Sequence, residues 1–355
     1  MFGSTKSERH GSRYLSRVSR ELRGAILFGS YVSLAVFWSF QLWAHDGLHI
    51  DIEKLTAQID ALATPRADLF LVRSRLLRAH GKPTEALADC DRALSLLGDD
   101  TTSLLAKAEQ PLERALVLIA LERAAEAEPL LDEVIEIAGD RYVDSLDARA
   151  QLRHDDGRTA LALADATRAF RASPTLDRAL RRGTWLTERG MLSDAAASYR
   201  EAIERLGASR LIRDAWITVE IERGEYESAL SMIDAELERA VVRTVWLLRR
   251  AQVYEAAGNE KRKNEELRAA LIEADRVLAR RRLPVHLVLR GEVHLAIGDF
   301  ESATRDAEEA RAIVPEFLKI HELLTSIEEA RAKLKESKST PPRKPATPVG
   351  GKEQA

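Results

Sequence analysis

The residues best suited to chemistry are few, and none of them completes a recognisable site. His45, Asp46 and His49 stand together after an apolar run. Histidines four apart share a helix face, and with the aspartate they offer donors to a divalent metal; a cut after Ala44 would add the free amine of His45. Two imidazoles without a third firm ligand make a weak metal signature, and a solvated stretch is the plainer reading. His154, Asp155 and Asp156 adjoin, but they immediately precede Gly157 and suit a turn. Cys90 is the one cysteine; it excludes an intrachain disulfide and, with no His or acid patterned around it, reads as a small buried hydrophobe. No Gly-rich phosphate loop, HExxH, GxSxG or paired CxxC is present. The chain is therefore expected to have no catalytic, cofactor-binding or metal residues and to be no enzyme.

A periodic set of charges is more informative. Arg73, Arg114, Arg149, Arg182, Arg250 and Arg290 each precede a small residue. Sixteen residues beyond three of them stand Asp89, Asp165 and Asp306, and beyond Arg250 stands Glu266; Trp216 and Met232 occupy the two places once. The spacing predicts an Arg–carboxylate contact between paired helices, exchanged in one unit for an apolar pair.

The elements that would position these pairs are short amphipathic helices. In the stretch from Pro284 to Pro315, Leu287, Gly291 and His294 share one helix face, Gly298-Asp299 breaks the helix, and Ala303, Ala307 and Ala310 recur on a second helix that Pro315 stops. Small Gly291 predicts a close approach of the second helix. The turn glycine recurs as Gly81, Gly157, Gly190, Gly224 and Gly258, with a weaker unit turning near Glu122. The small residue of the first helix recurs as Ser74, Ala115, Ala150, Gly183 and Ala251. The alanine opening the second recurs as Ala86, Ala127, Ala162, Ala195 and Ala229, and a later one as Ala93, Ala169, Ala202 and Ala270. This phased pattern resembles the tetratricopeptide repeat, a helix-turn-helix unit of about 34 residues. The resemblance implies an all-α chain: a right-handed α-solenoid of about seven hairpins spanning residues 67–316. Two insertions interrupt the phase, one around Gly98–Leu105 and one within LIEADRVLARRRLP, which is expected to lengthen the link before the last unit. Arg280, Arg281 and Arg282 form a basic cluster there that suits a solvated helix end.

At 355 residues, with 31% charged and 5% aromatic residues and a net charge of -3, the chain has a helix-forming composition and no basic field that argues for nucleic acid. Residues 1–24 carry six Lys or Arg against two Glu. Residues 25–44 carry no charge over a length that spans a bilayer as a helix. The positive-inside rule then predicts a single-pass membrane protein, N-terminus cytoplasmic and repeats extracytoplasmic. The segment either stays as an anchor or is cut as a signal, leaving a secreted or periplasmic protein; bulky Leu42 near the cut position favours retention. Residues 45–66 read as a juxtamembrane helix, similar to the mature start of secreted bacterial tetratricopeptide proteins. Residues 317–337 read as a helix capping the last repeat, and residues 338–355 as a disordered basic tail.

The resemblance implies a non-catalytic scaffold that holds a protein or peptide in a concave groove lined by the first helices. The groove is expected at Asp144, Asp147, Gln151, His154, Asp177, Thr184, Asp214, Thr218, Gln252, Glu255 and Glu292. This set is fairly acidic, which favours a basic or polar segment as partner, and it lacks the Lys/Asn carboxylate clamp of some relatives. Two alternatives remain: an assembly or quality-control factor for an envelope complex, and a periplasmic metal-binding protein using His45 and His49.

Overall fold

A computed structural model describes residues 47–98 and 105–339. The expected basic segment, apolar span, His45, Asp46, the core of the first insertion and the tail beyond residue 339 lie outside these residues. Within them a helix, α1 (residues 47–60), precedes seven helix pairs. The pairs are α2 (Ala67–Ala79) with α3 (Pro83–Leu97), α4 (Gln110–Ala120) with α5 (Ala124–Ala138), α6 (Val143–Asp155) with α7 (Thr159–Ala172), and α8 (Leu176–Glu188) with α9 (Leu192–Leu206). They continue with α10 (Arg210–Arg223) and α11 (Tyr226–Arg239), α12 (Thr244–Ala256) and α13 (Glu260–Arg280), and α14 (Pro284–Ile297) and α15 (Phe300–Ile313). A final helix, α16 (Leu318–Ser339), follows; no strand occurs among the described residues.

Each hairpin turns where the sequence predicts. Gly81, Gly157, Gly190, Gly224, Gly258 and Gly298 all adopt positive φ. The residue after the turn closes the helix end by donating its N–H five residues back, as Lys82 does to Leu77 and Asp299 to His294, each at 2.9 Å. The weaker unit turns at Glu122, the one described non-glycine with positive φ, at 60°. Its neighbour Arg123 makes the same bond to Leu118 at 2.9 Å. A Schellman turn therefore forms at Glu122 without the residue that adopts it most cheaply.

The phased small residues are where the helices touch. Ala86, Ala127, Ala162, Ala195 and Ala229 are all fully buried, as are Ala93, Ala169, Ala202 and Ala270. Without larger side chains between them, paired helices sit close enough to exclude water from their shared seam. At Gly183 an added Cβ would meet the Tyr199 ring at 2.2 Å. At Gly291 it would lie 3.4 Å from the Ala303 carbonyl oxygen on α15 and 2.6 Å from Leu323 on α16. The same absent side chain thus admits both the pair partner and the final helix.

Two compact units divide the chain after Met232, inside α11. In the first, α1 buries Leu55 and Ile59 against α2 and α3 while Glu53, Lys54, Gln58 and Asp60 face solvent. It closes the open end of the first repeat with a polar outer surface, which solenoids need. In the second unit α16 buries Ile320, Leu323 and Ile327 over α14 and α15. The second insertion is not a longer link: it extends α13 to 21 residues, and Asp275 in this added stretch ion-pairs with Arg290 at 2.8 Å. No described helix is long and apolar enough to cross a membrane.

Candidate partner-binding face

The periodic arginines set the register of the first helices. Arg73 donates to both oxygens of Asp89 at 2.8 and 2.7 Å, Arg149 to Asp165 at 2.9 and 2.6 Å, and Arg290 to Asp306 at 2.8 and 2.6 Å. Arg250 meets Glu266 at 2.8 Å. Such two-pronged contacts fix orientation as well as distance. The remaining Nη1 reaches back to the preceding helix: Arg73 to Thr56 at 3.2 Å, Arg149 to Asp132 at 2.6 Å, Arg250 to Asp234 at 2.8 Å and Arg290 to Asp275 at 2.8 Å. Each arginine therefore ties three helices, its own, its pair partner and the one before. The signal for the third contact was an acid or hydroxyl 15 to 17 residues upstream, which recurs less regularly than the downstream one. Arg182 lacks the acid at sixteen. It donates to the Ser198 hydroxyl at 2.7 Å and meets Glu201 at 2.9 Å, and its burial lowers its pKa. Arg114 turns back to Asp91. Trp216, expected in an apolar pair, donates its indole N–H to Glu220 at 2.7 Å.

In the first unit the exposed sides of the first helices carry a second set of contacts, about one repeat apart. Arg75 on α2 meets Glu109 at 3.1 Å, Asp147 on α6 meets Arg178 at 2.7 Å and also Arg181 on α8, and His154 stands 3.6 Å from Glu188. Arg78 grips buried Glu113 at 3.0 and 3.1 Å. Asp147, one of the expected groove acids, is therefore held between two arginines of the next unit. Thr218 is turned away from the surface. It is buried, with its hydroxyl donated to the Asp214 carbonyl at 3.0 Å.

The other predicted positions divide by exposure. Asp144 and Asp177 are open to solvent, each with an arginine no nearer than 3.7 Å. Gln151 is exposed and donates to Asp155 at 2.8 Å. Thr184 is half-buried and bonded to Tyr199, whose own burial pushes its hydroxyl up to about 12. Asp214 is half-buried. His154 stacks on Trp185 with ring centroids 4.3 Å apart, so it is a packing residue on this face. In the second unit Gln252 and Glu255 are exposed, Gln252 accepting from Arg249 at 3.0 Å and Glu255 meeting Lys263 at 3.3 Å. Glu292 lies against the final helix. Burial and the like charge of Glu322 raise its pKa, while Lys319 partly offsets them.

Among the described residues no three metal-ligating side chains gather. His49 meets Glu53 at 3.1 Å. Cys90 is fully buried beside Ser74, and burial pushes its thiol up to about 11. Arg282 of the basic cluster is engaged by Glu309 at 2.6 Å. Between α2, α4 and the start of α6 lies an open cleft of 390 Å³, lined by Arg75, Arg78, Glu109, Leu112, Glu113, Leu116, Tyr142 and Asp144.

No family model and no curated protein matches the chain. Among solved structures it is similar to a tetratricopeptide repeat protein from Parabacteroides merdae, at 18% identity and TM-score 0.44, over 74% of this chain and 98% of that one. It is also similar to the C-terminal part of a TPR repeat-containing protein from Cytophaga hutchinsonii, at 14% identity and TM-score 0.47, over 72% and 99%. A third is YrrB, described as a TPR protein with an unusual peptide-binding site, at 16% identity and TM-score 0.39, over 52% and 91%. The hairpins define the class by themselves: helix pairs at the repeat spacing, turned by Schellman glycines and seamed by small residues, are a tetratricopeptide-repeat fold.

Proposed function

We propose that this protein is an interaction scaffold, held in a membrane by residues 25–44 with its repeats on the extracytoplasmic side, that binds a partner protein through the exposed sides of its first helices. The observation that supports this reading is the division of labour among its charges. The periodic arginines and their acids are spent within and between helix pairs. The first helices keep Asp144, Gln151 and Asp177 exposed in the first unit and Gln252 and Glu255 in the second. An open cleft lies beside Asp144. A basic or polar partner segment suits these side chains.

The test is affinity capture of the full-length protein from detergent-solubilised membranes, with the wild type compared to the Asp144→Arg, Asp177→Arg double variant. Neither carboxylate is closely paired, so the variant keeps its fold, which circular dichroism checks. The reading predicts a protein that co-purifies stoichiometrically with the wild type and is lost from the variant. Equal recovery from both, or no co-purifying protein, contradicts it. The same preparation reports whether residues 25–44 remain attached.

A further inference from the structure

We infer that the cleft between α2, α4 and α6 is the seat for one long cationic side chain, Lys or Arg, of an extended partner segment. This rests on the reading of the first helices as the partner-binding face and names what that face takes at one place. Leu112, Leu116 and Tyr142 supply its apolar lining and are each half-buried, beside five charged side chains. Its 390 Å³ lies within the range of ligand-binding clefts, roughly 300–1,000 Å³. The charges on its walls are not equivalent. Glu113, with a side chain 2% exposed, is gripped by Arg78, and Glu109 is met by Arg75 at 3.1 Å, so each arginine of the lining already has its carboxylate. Asp144 is the carboxylate left over. Its side chain is 76% exposed, and the nearest cation, Arg178 at 3.7 Å, is committed to Asp147 and to the Ser173 carbonyl. An apolar lining beside one loosely paired carboxylate matches a side chain with an apolar stem and a cationic head. The Tyr142 ring adds a face that attracts cations. An acidic side chain in the same place would meet Asp144 and would have to compete with Glu109 for Arg75.

The probe is a pair of blocked pentapeptides, acetyl-Gly-Gly-Arg-Gly-Gly-amide and its Glu counterpart, titrated into full-length protein in detergent while methyl resonances are followed by NMR. The expected result is that the Arg peptide shifts the Leu112 and Leu116 methyls and the Glu peptide does not. Asp144→Asn should then weaken the Arg peptide about fivefold, the equivalent of an exposed ion pair of ~1 kcal/mol. Shifts of these methyls by the Glu peptide, or Arg-peptide binding unchanged in Asp144→Asn, would overturn the assignment. If the Arg peptide instead perturbs α8 and is weakened by Asp177→Asn, the cleft is wrong and the binding-face reading stands. If neither peptide perturbs any first helix while a captured partner does, the cleft alone fails. If the partner does not perturb them either, both readings fall.

Discussion

Glu122 shows at a single residue how far the repeat constrains its backbone. The hairpin geometry demands a left-handed residue at the turn, and the chain supplies one with a Cβ, at φ 60°. For a residue other than Gly that conformation costs roughly 1–2 kcal/mol. Glu122→Gly should therefore stabilise the protein by about 1 kcal/mol, because strain relief exceeds the extra freedom of the unfolded chain. Urea unfolding followed at the helical signal measures this, and a loss of stability would mean that Glu122 makes up its strain elsewhere. The position was legible in the sequence as a weaker turn by phase alone, since the chain around it keeps the repeat even where the glycine is missing. Cys90 was legible for a different reason: it stands at a position facing the first helix of its pair, where any small side chain is buried.

At the scale of the helix, the Arg149 network is the most deeply held of the clamps, with side chains 11% exposed for Arg149 and 4% for Asp165. Removing one partner does not bare a lone charge, since Arg149 keeps Asp132 at 2.6 Å and Asp165 keeps Arg153 at 2.8 Å, so the cost should fall below the roughly 3–5 kcal/mol of an uncompensated buried ion. Arg149→Ala and Asp165→Ala should each be costly, and the double variant should cost less than their sum by at least ~1 kcal/mol. Additive losses in a double-mutant cycle would reject the contact as an energetic unit. The neighbouring carboxylate, Glu128, adds a pH dependence of its own. Arg158 first and then Arg153 hold its pKa down at about 2, well below the ordinary 4.5, against the opposing effect of burial. Because the folded value is the lower one, its stabilisation is present above pH 4.5 and is lost as pH falls toward 2. At pH 7 Glu128→Gln should lose about 1 kcal/mol, reduced by the solvent reaching this rim. The gap from wild type should close between pH 4.5 and 2. A gap that persists at the acid end would assign Glu128 a role other than charge. The downstream acids of the clamps were readable because a helix hairpin fixes the distance between its two helices. The third contact and the cross-repeat pairs such as Arg75 with Glu109 were not. They depend on how one hairpin leans on the next, and that register is set by packing rather than by spacing. The lengthened α13 is hard to read from the sequence because its added residues break the repeat phase, although they keep helical periodicity and nothing in LIEADRVLA stops a helix.

At the scale of the whole molecule, stacked hairpins separate two tasks. Small residues and arginine clamps occupy the seams, and the first helices keep the side chains that the seams do not need. Asp147 and Thr218 are engaged within the scaffold, while Asp144 and Asp177 stay exposed. The most direct measurement of the central claim is site-specific photo-crosslinking in intact cells, with benzoylphenylalanine placed at Asp144 or Asp177 on first helices, or at exposed Glu133 on the second helix α5. The account predicts the same partner adduct from positions 144 and 177 and none from 133. An adduct from 133, with none from 144 or 177, would contradict it.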